Sequence, residues 1–120
     1  MKKTTLVLGA SVNTERYSNK SIQKLRANKI KVFAVGATKG TVLDVSIEVE
    51  KLQFQDIDTV TLYLNPIRQK EYYDYVIGLK PNRVIFNPGT ENSEFIKLLK
   101  EKNIETEVAC TLVLLSINQY

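Results

Sequence analysis

The sequence predicts an α/β fold, a single three-layer domain built on a doubly wound, mostly parallel sheet of five strands. Three observations predict it. Short apolar runs alternate with segments of helical periodicity along the whole chain. The 120 residues are the length of one domain, so residues 1–120 are expected to form one unit. The chain is 43% hydrophobic and 25% charged, which is typical of a globular protein.

The strands are predicted where short apolar runs are rich in β-branched and aromatic residues. They are Thr4–Leu8, Lys31–Val35, Thr59–Leu64, Arg83–Phe86 and a short strand that starts in Glu107–Ala109. Residues 43–50 alternate between apolar and polar side chains, which indicates a further short extended segment.

The helices are predicted where apolar residues recur every three or four positions: Ser18–Asn28, Pro66–Ile77 and Glu91–Lys102. Ser18 is the expected N-cap of the first helix, and Pro66 suits the first turn of the second. The tail Thr111–Ile117 fits either a helix or a strand, because periodicity alone does not distinguish them.

The composition excludes several kinds of chemistry. The chain has no histidine, which excludes a Ser-His-Asp triad, a phosphohistidine carrier and a histidine-ligated metal site. Its one cysteine, Cys110, excludes an internal disulfide and suggests a reducing compartment, so we expect a cytoplasmic protein. The apolar start Leu6–Leu8 is too short for a secretion signal, and no run approaches the roughly 18 apolar residues of a membrane span. No membrane partner is therefore expected.

The charge is unevenly distributed. Residues 1–40 carry nine basic side chains and one acidic side chain, a net charge of +8, whereas the remaining residues carry −4. This imbalance favours an anionic ligand. No aromatic side chains interleave with the lysines and no nucleic-acid-binding motif is present, so nucleic acid is not an expected partner.

The glycines and prolines indicate where a ligand would bind. They follow the predicted strands at Gly9, Gly36, Gly40, Pro66, Pro88 and Gly89. In doubly wound sheets, ligands bind outside the carboxyl ends of the strands. The sequence therefore predicts a functional site at this edge, although strand-to-helix turns require glycine in any case.

The loop residues narrow the choice of ligand. A dinucleotide fingerprint that starts at Gly9 would need glycine at positions 11 and 14, which are Ser11 and Thr14 here. No acid follows the second strand to bind a ribose hydroxyl. Lys39 stands there instead and suits a phosphate on the ribose, unless it is simply an exposed loop lysine. NADP and coenzyme A are therefore favoured over NAD.

The segment Leu8–Ser11, followed by Arg16–Asn19, resembles the CoA-binding domain family. These are small Rossmann-type domains, similar to the CoA-binding domain of the succinyl-CoA synthetase alpha subunit. The resemblance spans nearly the whole chain and continues through Val35-Gly36, Lys39-Gly40, Leu62–Pro66, Asn87–Asn92 and Cys110–Val113. It implies a Rossmann-like fold and coenzyme A or an acyl-CoA as the ligand.

The resemblance also implies the site residues. A phosphate loop is implied at Gly9, Ala10, Ser11, Asn13, Arg16, Tyr17 and Ser18; an adenosine-phosphate end at Gly36, Lys39 and Gly40; and cleft walls at Tyr63, Leu64, Asn65, Pro66, Asn87, Pro88 and Gly89. Arg16 either contacts the pyrophosphate or braces the loop by pairing with Glu91 or Asp44. Tyr17 or Tyr63 packs either on the ligand or on the rim of the cleft.

The residues favour a binding module over an enzyme. The synthetase works through a phosphorylated histidine, which this chain lacks, so its catalysis does not transfer. We expect non-catalytic binding of coenzyme A or an acyl-CoA by a sensor or carrier, with a protein partner. The alternatives are an NADP- or other nucleotide-dependent enzyme and a partner-binding domain with a vestigial nucleotide site. Cys110 is either a structural thiol or forms a mixed disulfide with the ligand.

Overall fold

One sheet of seven strands forms the centre of the computed structural model, which describes residues 3–120. The strands are β1 (Thr5–Ala10), β2 (Val32–Gly36), β3 (Gly40–Val42), β4 (Val45–Glu48), β5 (Thr59–Leu62), β6 (Arg83–Phe86) and β7 (Glu105–Val108). Their order across the sheet is β3-β4-β2-β1-β5-β6-β7. Only the β3–β4 pair is antiparallel. The six parallel strands follow the order typical of Rossmann folds, which confirms the predicted fold class.

The sheet has two more strands than predicted. The extended segment expected at residues 43–50 belongs to a hairpin in which β3 and β4 pair, with Thr41 opposite Ser46. β4 then pairs in parallel with β2, so this hairpin stands where a crossover helix usually lies. The three-residue β3 has no apolar run to mark it. β7 starts two residues before the predicted Glu107 because it is an edge strand whose polar residues, Glu105 and Thr106, hide it from an apolar pattern.

The helices are α1 (Tyr17–Ala27), α2 (Pro66–Gln69), α3 (Tyr73–Leu79), α4 (Ser93–Glu101) and α5 (Thr111–Ser116). The predicted Pro66–Ile77 helix is wrong as one element, because a 3₁₀ turn at Lys70–Tyr72 divides it. At that turn the Lys51 ammonium donates to the Glu71 carbonyl at 2.7 Å, a bond from a distant part of the chain. Ser18 is wrong as the N-cap: Arg16 occupies that position, and Ser18 is buried in the first turn.

The core fills both faces of the sheet. Along β1, Leu6 and Leu8 point to the face covered by α3 and α4, while Val7 points to the face covered by α1 and α5. The predicted inward residues Ile22 and Leu25 of α1 are fully buried. These two apolar layers give the three-layer architecture. Within residues 3–120, no helix combines the length and apolar character needed to cross a membrane.

A fully buried glutamine, Gln69, ties together two loops at the carboxyl edge of the sheet. Its amide nitrogen donates to the carbonyls of Leu64 and Thr90, both at 2.8 Å. Its amide oxygen accepts from the Asn92 side chain at 2.9 Å. Because buried carbonyls away from the sheet ladder need a donor, this one side chain fixes the loops after β5 and β6 relative to each other.

A second buried amide, Asn87, performs the same task beneath those loops. Its nitrogen donates to the Thr61 hydroxyl at 2.6 Å and to the Leu62 carbonyl at 2.8 Å. Its oxygen accepts from the Thr111 backbone N–H at 2.9 Å. Asn87 therefore joins the ends of β5 and β6 to the start of α5.

We expect Gln69→Leu to lower the free energy of unfolding by about 2–4 kcal/mol, because it leaves the buried Thr90 carbonyl without a donor and removes the bond to the Leu64 carbonyl. Urea unfolding followed by circular dichroism measures this loss. The matched control is Gln55→Leu at an exposed position, which should change the stability little. A loss below about 1 kcal/mol for Gln69→Leu would contradict the bracing role.

Alkaline pH is expected to weaken the fold through Tyr75. This side chain is buried and its hydroxyl donates to the Leu52 carbonyl. Burial raises the pKa of Tyr75 to about 12, above the roughly 10 of an unfolded tyrosine. The stability that Tyr75 contributes is therefore complete below pH 10 and is lost as pH rises from about 10 to 12.

Unfolding free energies of the wild-type protein and of Tyr75→Phe, measured at pH 9 and near pH 11.5, test this expectation. Because phenylalanine does not ionise, the wild-type protein should lose more stability over this range than the variant. Equal losses would show that Tyr75 does not carry the effect.

Candidate ligand-binding cleft

The loops after β1, β2, β5 and β6 enclose a cleft of about 690 Å³ at the carboxyl edge of the sheet. Most of the predicted site residues line it: Gly9, Ala10, Ser11, Arg16, Tyr17, Ser18, Tyr63, Leu64, Asn65, Pro88 and Gly89. A smaller chamber of about 210 Å³ adjoins it, and Gly36 lines this chamber. The two share the wall residues Gly9, Ala37, Leu64 and Arg68. The structure thus brings these residues together at the predicted edge.

Five of the predicted site residues line neither space: Asn13, Lys39, Gly40, Pro66 and Asn87. The side-chain oxygen of Asn13 accepts from the Glu15 backbone N–H at 2.9 Å, which shapes the loop after β1. The Lys39 ammonium lies 3.4 Å from a carboxylate oxygen of Glu48.

The other three also have local structural roles. Gly40 lies under Val12, whose methyl group leaves no room there for a Cβ. Pro66 forms the first residue of α2. Asn87 points down to the strand ends rather than into the cleft.

Two glycines let the loops approach each other closely. Gly9 has a φ of +91°, and a Cβ at this position would lie 2.9 Å from the carbonyl carbon of Tyr63. At Gly36 a Cβ would lie 2.2 Å from the Ala10 carbonyl oxygen. Glycine has no side chain, so the backbones after β1, β2 and β5 can approach closely enough to line one cleft.

The N-terminus of α1 faces the cleft without a side-chain cap. Its N-cap Arg16 supplies no acceptor, and the first turn holds no acidic residue. In contrast, the side chains of Asn65 and Asn92 cap α2 and α4. The first N–H groups of a helix lack partners within the helix, and its dipole places partial positive charge there. An anion in the cleft would satisfy both requirements.

Two arginines add positive charge to the cleft wall. The side chains of Arg16 and Arg68 are exposed and make no hydrogen bond or ion pair with the rest of residues 3–120. The pairs considered for Arg16 do not form. Asp44 binds Arg26 through two bonds of 2.8 Å, which lower the pKa of the Asp44 carboxyl. Glu91 accepts from the Gly89 backbone N–H at 3.0 Å.

Arg68 was not among the predicted site residues. It lies in the first turn of α2, three residues after the cap Asn65, and the helix start places it beside the end of β2. Its position after the third predicted strand was the available signal, since the first turn of a helix that follows a strand faces the same edge.

The two candidate aromatic residues differ. The Tyr63 hydroxyl hydrogen-bonds with the Ser21 hydroxyl of α1, and burial raises the pKa of Tyr63, so it stays a neutral phenol. Tyr17 is 67% exposed at the mouth of the cleft, with the Lys20 ammonium 5.3 Å from its ring centroid. Cys110 is half-buried at the N-cap of α5 and does not line the cleft.

Comparison with known proteins gives the family. The sequence matches the CoA binding domain family over residues 3–116. A solved structure of an uncharacterized protein is 44% identical, with a TM-score of 0.97, and the match covers 100% of this chain and 99% of that one.

Two further solved structures share the fold. A protein from Thermus thermophilus is 23% identical with a TM-score of 0.86, covering 99% of this chain and 91% of that one. A hypothetical protein from Pyrococcus horikoshii is 29% identical with a TM-score of 0.81, covering 93% and 80%. No curated protein matches the chain. The match over nearly all of its length shows that the chain belongs to the CoA binding domain family.

Proposed function

We propose that this protein binds coenzyme A or an acyl-CoA in the cleft at the carboxyl edge of its sheet and does not transform it. The observation that carries the proposal is the convergence of three unpaired positive features on one cleft: the uncapped N-terminus of α1, Arg16 and Arg68. A ligand that bears several phosphates matches them. Membership of the family supports coenzyme A as that ligand.

The shape of the cleft supports one orientation of the ligand. The pyrophosphate would lie over the loop after β1 and the first turn of α1, beside Arg16. The adenine would enter the smaller chamber, whose wall includes Val49, Leu64 and Tyr72. The pantetheine arm would then run between the loops after β5 and β6, past Tyr63 and Pro88.

The chemistry of the wall supports binding without catalysis. Among its titratable side chains, Glu15 is the one acid, and it is exposed. The phenol of Tyr63 is bonded to Ser21, and burial raises its pKa, so it stays protonated and is not available as a base. Acyl-transfer chemistry needs a nucleophile beside a base, and the cleft offers no such pair among residues 3–120. A sensor or carrier that acts with a protein partner fits this wall.

Titration calorimetry with coenzyme A, dephospho-CoA, NADPH and NADH tests the proposal. We expect coenzyme A to bind with a dissociation constant in the micromolar range or tighter, which corresponds to about −8 kcal/mol. Tight binding of NADPH without coenzyme A would favour a nucleotide-dependent enzyme. If none of the four ligands binds, the result would favour a partner-binding domain with an unused cleft.

Arg16→Ala is expected to weaken coenzyme A and dephospho-CoA by a similar factor of roughly 10, because both ligands carry the pyrophosphate. Lys97→Ala is the matched control, since this exposed α4 lysine lies outside the cleft. The loss should shrink in high salt, which screens exposed charges. An Arg16→Ala protein that binds coenzyme A as tightly as the control would remove Arg16 from the site.

A further inference from the structure

Arg68 stands where the cleft and the smaller chamber meet, because its side chain lines both spaces. Among the described residues, it is the one basic side chain on the wall of the smaller chamber. The chamber lies beside Gly36 at the end of β2, where doubly wound folds place the ribose of an adenine nucleotide. Arg68 and Gly36 therefore line the same chamber, where this ribose position is expected.

The backbone of Arg68 is held in place while its guanidinium is free. Its N–H donates to the Asn65 side chain at 2.9 Å, and Pro66 begins the same helical turn. The next residue, Gln69, is fully buried and hydrogen-bonded. A guanidinium presented from a fixed turn, without a partner of its own, loses little freedom when it binds an anion.

The acid on the chamber wall does not neutralise Arg68. Glu71 instead lies 3.7 Å from the Lys51 ammonium. The other residues of the wall are Gly9, Gly36, Ala37, Val49, Leu64 and Tyr72, none of which is charged. This arrangement accepts a flat ring inside the chamber and one anionic group at its mouth.

Lys39 is the alternative cation near the end of β2. Its side chain is 70% exposed, pairs with Glu48 and lines neither space. Binding a phosphate would require Lys39 to leave that pair and turn inward, whereas Arg68 already lies on the wall.

We propose that Arg68 binds the ribose 3′-phosphate of the ligand and so distinguishes coenzyme A from dephospho-CoA. This inference rests on the proposed function. A guanidinium offers two parallel N–H donors to one phosphate, which an ammonium cannot match. The site then selects adenine nucleotides that carry a phosphate on the ribose.

Titration of wild-type protein, Arg68→Ala, Arg68→Lys and Lys39→Ala with coenzyme A and dephospho-CoA tests the inference. The wild-type protein should prefer coenzyme A by about 10- to 100-fold. Arg68→Ala should lose this preference while binding dephospho-CoA within about twofold of wild type, since only the contact to the phosphate is removed. Arg68→Lys should keep part of the preference. Circular dichroism of each variant checks that the substitution leaves the fold intact.

The contrary outcomes are distinct. If Arg68→Ala keeps the preference, or if Lys39→Ala abolishes it instead, Arg68 does not bind the 3′-phosphate. If Arg68→Ala weakens both ligands equally, its contact is with the adenine or the pyrophosphate, which also overturns the inference. If the wild-type protein binds both ligands equally, the site has no contact with the 3′-phosphate. If it binds neither ligand, the proposed function itself fails and the inference fails with it.

Discussion

The requirement that buried amide and carbonyl groups be paired governs the carboxyl edge of this sheet. The loops that leave parallel strands lose the regular partners of the ladder, and their carbonyls need donors from elsewhere. Gln69 and Asn87 supply those donors from fully enclosed positions. These bonds hold the loops after β5 and β6 in place and so help to shape the cleft.

Both the backbone and the side chains contribute to the cleft. Gly9 and Gly36 bring three loops into contact, and the uncapped turn of α1 offers backbone N–H groups to the space they enclose. Arg16 and Arg68 supply the fixed charge. Asn87, which the family resemblance implied as a wall residue, instead holds the strand ends beneath the cleft. A sequence motif thus combined residues that face the cleft with residues that hold it in shape.

The sequence predicted what local patterns determine. β6 was predicted residue for residue, since Arg83–Phe86 is a buried run flanked by turn residues. Gly9 marked the loop after β1 because the backbone there has a φ of +91°, which glycine adopts more easily than other residues. What failed depended on distant partners. The break after Gln69 accompanies a bond from Lys51, and β3 exists because β4 lies beside it. Arg68 was missed for a different reason: the helix start at Pro66 was predicted, but the first turn that follows it was not considered as part of the cleft wall.

The hydrogen bond between Tyr63 and Ser21 has a kinetic consequence. It joins the loop after β5 to α1, two elements that both contribute residues to the cleft, and it forms without any ligand. For the proposed ligands, we expect a cleft preorganised in this way to give similar association rates. Differences in affinity among related ligands then lie in residence time: the ligand that finds more partners on the wall leaves more slowly.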